Sequence, residues 1–275
     1  MTPDIFTLNS FGLGSSSKLL SIIADCEKHS NRSQIICIQE TKLTTLSNTL
    51  LSIIRLHNLE HYLSPANNKS GGLLTMWSKN LKLLDVVASN EACHILKFEH
   101  DLLICNTYLN PSEHVKKFEL LRSTVTPLPL SNKRFFLVGD FNSFDHNSAN
   151  SSEPIRGFDL RLRRHENLSQ LCSDLQLHDC AVTYGEPAFT HYHKRTRSFA
   201  RIDYIFTNSQ PAEGFDFDTF DSNVSDHRFL HLKRQLDAYD RGQGYWKLNA
   251  TVLAPNKTYL SEMICNFSTS DPTET

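Results

Sequence analysis

With 275 residues, of which 39% are hydrophobic and 21% charged, the chain can bury one large core or two modest ones, as an ordinary globular protein does. Its 28 Lys+Arg against 30 Asp+Glu leave a formal charge of −2, which excludes global attraction to nucleic acid and leaves only a local basic patch for that purpose. Seven cysteines, an odd number without a C-x-x-C pair, argue against both a disulfide framework and a zinc site, and point to a reducing compartment.

No run approaches the roughly 18 apolar residues of a membrane span, and residues 1–10 lack the basic and apolar regions of a secretion signal. The expectation is a soluble intracellular protein without a membrane partner.

In chain order, the apolar runs Asp4–Leu8 and Gln34–Ile38 predict buried strands. Between them, Leu19, Leu20, Ile22 and Ile23 give Ser17–Cys26 a helical period. Thr45–Leu56 repeats that period. Strands are expected at Leu73–Trp77, Leu83–Val87, His94–Phe98 and Leu102–Thr107, separated by Gly, Asn and Asp turn residues. A helix at His114–Arg122, a strand at Phe135–Val138 and an amphipathic helix at Leu160–Gln176 follow. Phe189–Tyr192 and Arg201–Phe206 predict a hairpin with its tip at His193–Ala200, and Phe229–Leu232 closes the set. Many strands with few helices fit an α/β protein, a four-layer sandwich of two packed mixed β-sheets flanked by helices. Residues 1–238 read as one domain. Residues 239–275 read as a polar extension whose end, Ser268–Thr275, is expected to be disordered.

Five short segments place polar, chemistry-bearing groups at strand ends, where a rigid sheet holds functional loops. They are Leu8-Asn9, Ile38-Gln39-Glu40-Thr41-Lys42, Asn106-Thr107-Tyr108, Gly139-Asp140-Phe141-Asn142, and Arg201–Ile205 with Ser225-Asp226-His227. Singly, each has an ordinary explanation. Glu40 alone is a solvated carboxylate, Gly-Asp-Phe-Asn an Asx-type turn, and Ser-Asp-His a helix cap. Their joint occurrence is what carries meaning.

In order and approximate spacing, these segments resemble the exonuclease III/deoxyribonuclease I superfamily, also called the endonuclease/exonuclease/phosphatase family, over residues 4 to about 233. Gly139–Asn142 and Ser225–His227 are the most specific motifs. The Gly71-Gly72 strand and Phe189-Thr190 resemble the branch holding apurinic endonucleases and retrotransposon endonucleases. Pro111 stands one residue later than the family's usual proline. In the tail, Gly244–Asn249 resembles the Trp-(Arg/Lys)-Leu-Asn segment that follows the nuclease domain in long interspersed element polyproteins.

The resemblance implies a DNase I-like fold and a magnesium-dependent endonuclease, with manganese as a substitute. Glu40 and Asp226 would be the metal ligands, with Asn9 close by. Asp140 would orient and deprotonate the attacking water, and Asn142 would fix that carboxylate. His227 would donate to a phosphoryl oxygen, Asp203 would orient His227, and Tyr108 would contact the phosphate. Which of Asp140 and His227 takes the proton stays open. The implied partners are double-stranded DNA and, in the full polyprotein, a reverse transcriptase domain and element RNA. The implied place of action is the nucleus, after cytoplasmic synthesis.

For DNA contact, the basic and aromatic stretch His191–Arg201 offers Lys194, Arg195, Arg197 and Arg201, with Thr190 beside it. A second basic cluster, Arg161, Arg163, Arg164 and His165, reads as the polar face of its helix. His191 and His193 share a strand face, but with no third ligand nearby in sequence they read as strand residues rather than a zinc site. The functional expectation is a nicking enzyme that starts target-primed reverse transcription. The alternatives are an apurinic endonuclease or phosphatase of the same fold, and a catalytically silent binding module.

Overall fold

The computed structural model describes residues 2–67, 70–143, 166–194, 197–209 and 214–235. The chain opens as β1 (Asp4–Asn9), α1 (Ser16–His29) and β2 (Gln34–Gln39), and continues with α2 (Asn48–Leu56), β3 (Leu59–Ser64) and β4 (Leu73–Ser78). Next come β5 (Leu83–Ser89), β6 (Cys93–Phe98), β7 (Leu102–Tyr108), α3 (His114–Val125) and β8 (Arg134–Asp140). The remaining elements are α4 (Glu166–Asp174), β9 (His178–Asp179), α5 (Cys180–Tyr184), β10 (His191–His193), β11 (Ser198–Ala200), β12 (Asp203–Thr207), β13 (Phe215–Phe220) and β14 (Phe229–Arg234).

Two mixed six-stranded sheets form, ordered β13-β14-β1-β2-β4-β3 and β5-β6-β7-β8-β12-β9. The central strands read as unbroken apolar runs because both of their faces are covered. Alternation along each strand divides the cores. Ile5, Ile35, Cys37, Ile104, Phe136 and Val138 point between the sheets. Phe6, Ile36 and Ile38 point outward onto Leu19, Ile22, Ile23 and Cys26 of α1 and Leu50 and Ile54 of α2. Leu103, Cys105, Phe135 and Leu137 point outward onto Phe118, Leu121 and Val125 of α3 and Leu168 and Leu171 of α4. The result is helix, sheet, sheet, helix, as the strand count implies. Each fully buried Leu, Ile or Phe contributes about 1.5–3 kcal/mol to holding these layers.

The helices start where their caps dictate. The Ser15 hydroxyl accepts from Lys18 N at the head of α1, and that of Ser47 from Leu50 N at the head of α2. Among the described residues no helix is long and apolar enough to cross a membrane. Residues 160–165, with the second basic cluster, and the tail segment Gly244–Asn249 lie outside the described residues.

Where the two sheets meet near their functional edge, the packing is polar. The Gln39 amide donates to Thr7 Oγ1 at 2.8 Å in its own sheet and to Asn106 Oδ1 at 2.7 Å in the other. Asn106 donates to Thr75 Oγ1, whose hydroxyl meets His94 Nε2 at 2.7 Å, while Ser64 Oγ meets His94 Nδ1 at 2.9 Å. Burial pushes the His94 ring down to about 3, so it is neutral in the fold. Between that value and the ordinary histidine value of about 6.5, the unfolded chain takes a proton that the native state refuses. Stability therefore falls as pH drops through this window, by up to about 1.4 kcal/mol per pH unit. Denaturant titrations should show that slope weakened in His94→Gln. An unchanged slope would mean that His94 is not the group responsible.

Candidate active site

Sheet pairing assembles the site. In the second sheet, parallel β7 and β8 bring Tyr108 beside Asp140, and antiparallel β12 brings Asp203 to the other side of Asp140. In the first, Asn9 ends β1 beside Gln39 of β2, and Glu40 follows directly. These strand ends meet between the sheets.

Asp140 is buried and held on both oxygens. Its Oδ1 accepts from Asn142 N at 2.9 Å, and its Oδ2 accepts from Asn142 Nδ2 at 3.0 Å and Asn9 Nδ2 at 2.7 Å. Burial first, and then the charge of Asp203, lift its carboxyl to about 7, against the lowering by His227 and these donors. Asn142 adopts φ +45°, the left-handed turn that an asparagine tolerates.

His227 Nδ1 stands 2.8 Å from Asp203 Oδ2, with both side chains buried. A carboxylate only accepts, so Nδ1 carries the hydrogen. Burial opposes charge on this ring, but Asp203, with Asp140 and Asp226, outweighs it and raises His227 to about 9. Ser225 fixes the turn that presents the histidine: its hydroxyl donates to Asn9 O at 2.6 Å and accepts from His227 N at 3.1 Å. Next in sequence, Asp226 is held low, at about 2, chiefly by His191.

Glu40 sits at φ +50° in a loop braced by the Gly71-Gly72 pair, whose carbonyls accept from Lys42 N and Thr41 N. Its Oε1 meets Lys42 Nζ at 3.0 Å, and its Oε2 accepts from Asn9 Nδ2 at 3.3 Å. Asn9 thus joins Glu40 to Asp140. Tyr108 is 5% exposed, and burial followed by the charges of Glu40 and Asp140 pushes its hydroxyl far up, so it stays protonated. Lys117 Nζ lies 5.6 Å over its ring.

The structure thus brings Asn9, Glu40, Tyr108, Asp140, Asn142, Asp203, Asp226 and His227 to one edge of the molecule. The basic residues divide. Lys194 and Arg197 are exposed at the turn of a hairpin whose strands are β10 and β11, and Arg195 lies outside the described residues. This hairpin is shorter than predicted, because Asp203–Thr207 does not return against it but pairs with β8 in the core.

Two residues expected at the DNA make internal contacts in the structure. Thr190 is 1% exposed, and its hydroxyl accepts from Ile202 N and Asp203 N, both at 3.1 Å, so it positions Asp203 instead of facing outward. The Arg201 guanidinium is bound by both Asp179 oxygens, at 2.7 and 2.5 Å, and lies 4.7 Å over Tyr204. It is an internal ion pair. Nothing in the local sequence signals either role, since each partner lies elsewhere in the chain. Ser225, quoted within a motif but given no role, and His191, read as a strand residue, also join the site. A cleft of about 670 Å³ opens between the hairpin and the 221–228 segment, lined in part by Phe189, His191, Tyr192, Lys194, Phe199 and Asp226.

At the edge of the two stacked sheets, then, a buried carboxylate held by two side-chain amides stands beside a buried Asp–His pair. The model of the endonuclease/exonuclease/phosphatase family matches residues 6–227, and the chain belongs to that family. Its fold is the DNase I-like one. A 3'-5' exonuclease from Neisseria meningitidis is similar at a TM-score of 0.64 and 15% identity, over 85% of this chain and 100% of that one. An AP endonuclease from Leishmania major is similar at 0.61 and 15%, over 85% and 88%. The endonuclease domain of TRAS1, a telomere-specific non-LTR retrotransposon, is similar at 0.56 and 15%, over 84% and 98%. No curated protein sequence matches the chain significantly.

Proposed function

We propose that this chain is a magnesium-dependent endonuclease that nicks double-stranded DNA by phosphodiester hydrolysis, as the nuclease part of a LINE-type retrotransposon polyprotein. The observation that carries the chemistry is the Asp140 carboxylate, lifted to about 7 within a few ångströms of the charged His227–Asp203 pair. In this reading Asp140 holds and deprotonates the attacking water, with Asn9 and Asn142 fixing both of its oxygens. His227 donates to a phosphoryl oxygen, and Asp203 sets its tautomer. The protonated Tyr108 hydroxyl donates to the phosphate.

The residues present fit a hard divalent cation. Glu40 already has an ammonium on one oxygen, Asp226 has a buried oxygen without a hydrogen-bond partner among the described residues, and Lys18 feels the charge of both carboxylates. Magnesium or manganese held by Glu40 and Asp226 would neutralise charge on the phosphoryl oxygens. The exposed Lys194 and Arg197 would meet the DNA backbone beside the cleft, and Arg195 lies between them in sequence. The similarity to the TRAS1 domain and the Trp-Lys-Leu-Asn segment in the tail support the retrotransposon assignment. That assignment makes reverse transcriptase, element RNA and action in the nucleus part of the proposal.

Conversion of supercoiled plasmid to open circles with magnesium, its arrest by EDTA, and mapping of the nicks test this function. Glu40→Ala should remove most of the activity while the fold persists, because no core volume is lost. Undiminished nicking by folded Glu40→Ala would rule out Glu40 as the principal ligand. Cleavage confined to abasic duplexes would instead establish the repair-type reading.

A further inference from the structure

His191, at the start of β10, forms a β-bridge with His227, and their imidazole centroids stand 4.5 Å apart. Two backbone bonds hold the bridge: Tyr192 N donates to Asp226 O at 3.1 Å, and Arg228 N donates to Thr190 O at 2.7 Å. Asp226 belongs to the same cluster, its Oδ2 3.7 Å from His191 Nε2 and its Oδ1 buried without a hydrogen-bond partner among the described residues. One ligand atom from each of these three residues lies within 4.8 Å of the other two.

We propose that His191, Asp226 and His227 form a binding site for a transition-metal ion of the zinc class, and that its occupation blocks phosphodiester cleavage. Two imidazoles and one carboxylate form a nitrogen-rich donor set that suits zinc, cobalt or nickel, whereas magnesium prefers oxygen alone. Zinc bond lengths of about 2.0–2.1 Å place tetrahedral ligands roughly 3.3 Å apart, so side-chain shifts of about an ångström close the site. The second shell is already built. Asp203 takes the Nδ1 hydrogen of His227, which leaves Nε2 as the ligand nitrogen, the carboxylate–histidine–metal arrangement that orients zinc ligands. All three residues line the 670 Å³ cleft, so an ion can enter from solvent. His191 looks idle in sequence because its co-ligands lie far along the chain; the bridge supplies them.

The blocking half rests on the nuclease reading, since it removes His227 from phosphate and Asp226 from magnesium. The binding half does not. Calorimetric titration of the metal-free 275-residue chain with Zn2+ should show one ion bound. Folded His191→Ala should bind it at least ~100-fold more weakly, beyond the 10–100-fold usual for losing a mere second-shell partner. His57→Ala, which removes a histidine paired with Glu27, should bind like wild type. With Co2+, the wild-type chain should show tetrahedral d–d bands and no thiolate charge-transfer band, a readout that holds even if His191→Ala misfolds. Equal affinity in wild type and folded His191→Ala, or a thiolate band, would overturn the site. In the plasmid assay with saturating magnesium, Zn2+ should inhibit wild type. His191→Ala, measured against its own zinc-free rate, should need at least ~10-fold more zinc for the same inhibition. Tight zinc binding without inhibition would overturn the blockade alone, and a chain that binds zinc but never cleaves DNA would overturn the nuclease reading instead.

Discussion

Asp140→Asn and His227→Ala should each slow plasmid nicking by at least ~100-fold, the scale for losing a positioned base or a charge-stabilising donor. An amide at 140 keeps the shape but cannot take a proton, and it presents a hydrogen where Asn9 and Asn142 now donate. The two residues act on one phosphate, so the double variant should be little worse than the poorer single one. Additive losses would separate them into independent roles. The pH dependence follows from their shifts. Asp140 becomes a base as pH rises through about 7, and His227 ceases to be a donor as pH rises through about 9. The rate should climb through the first value and fall past the second, and His227→Ala should lose the alkaline fall. Stability carries the same signature for the His227–Asp203 pair. A raised histidine value means that its stabilisation is fully present below about 6.5 and is lost as pH climbs to about 9. A wild-type profile without an alkaline limb would contradict His227 as the acid.

Much of this arrangement is legible in the sequence, for physical reasons. Gln34–Gln39 and Arg134–Asp140 stand out because both of their faces are buried, which forces continuous apolar runs. Each ends on a residue that breaks the run with a polar group, and the polar residues Asn9, Glu40, Tyr108 and Asp140 mark the edge where the sheets open. Elements that bury little are harder to see. Leu59–Ser64 is an edge strand buried only at its two end residues, and His178–Asp179 has only two residues. Phe215–Phe220 does carry a period-two alternation, yet its acidic residues disguise a strand whose phenylalanines reach the core.

The hairpin shows a different limit. His191–His193 and Ser198–Ala200 are three-residue strands, and Asp203–Thr207 beside them belongs to another sheet. Local pattern cannot decide which neighbour a strand pairs with. It also cannot tell an arginine bound to a remote Asp179 from one facing DNA, and for that reason Arg201 and Thr190 move from the surface to the supporting structure. What sequence conveys well is which groups are present; which of them face each other is decided by register.

Register is most exposed to a single change at Gly139. This residue pairs with Thr107 in the parallel β7–β8 ladder and adopts φ +135°, a conformation that side chains disfavour. A methyl carbon there would stand 2.0 Å from Thr107 O, 3.0 Å from Thr107 C and 3.1 Å from Thr107 N. These are backbone atoms in the middle of a sheet, so they cannot rotate aside as a flexible side chain would. Gly139→Ala must therefore part the strands or displace β8, and Asp140 is the next residue along. The expected cost exceeds ~3 kcal/mol, in the range reserved for overpacking combined with strain at a special backbone angle, and chemical denaturation should register it as a large fall in midpoint. Any fraction that still folds should nick DNA poorly, because the Tyr108–Asp140–Asp203 row shares the displaced ladder. Gly14→Ala is the matching control, since nothing lies within 4 Å of a methyl at that position. If Gly139→Ala unfolded at the same denaturant concentration as Gly14→Ala and kept full activity, the close approach of β7 and β8 at the catalytic carboxylate would be wrong, and with it the geometry assigned to Asp140.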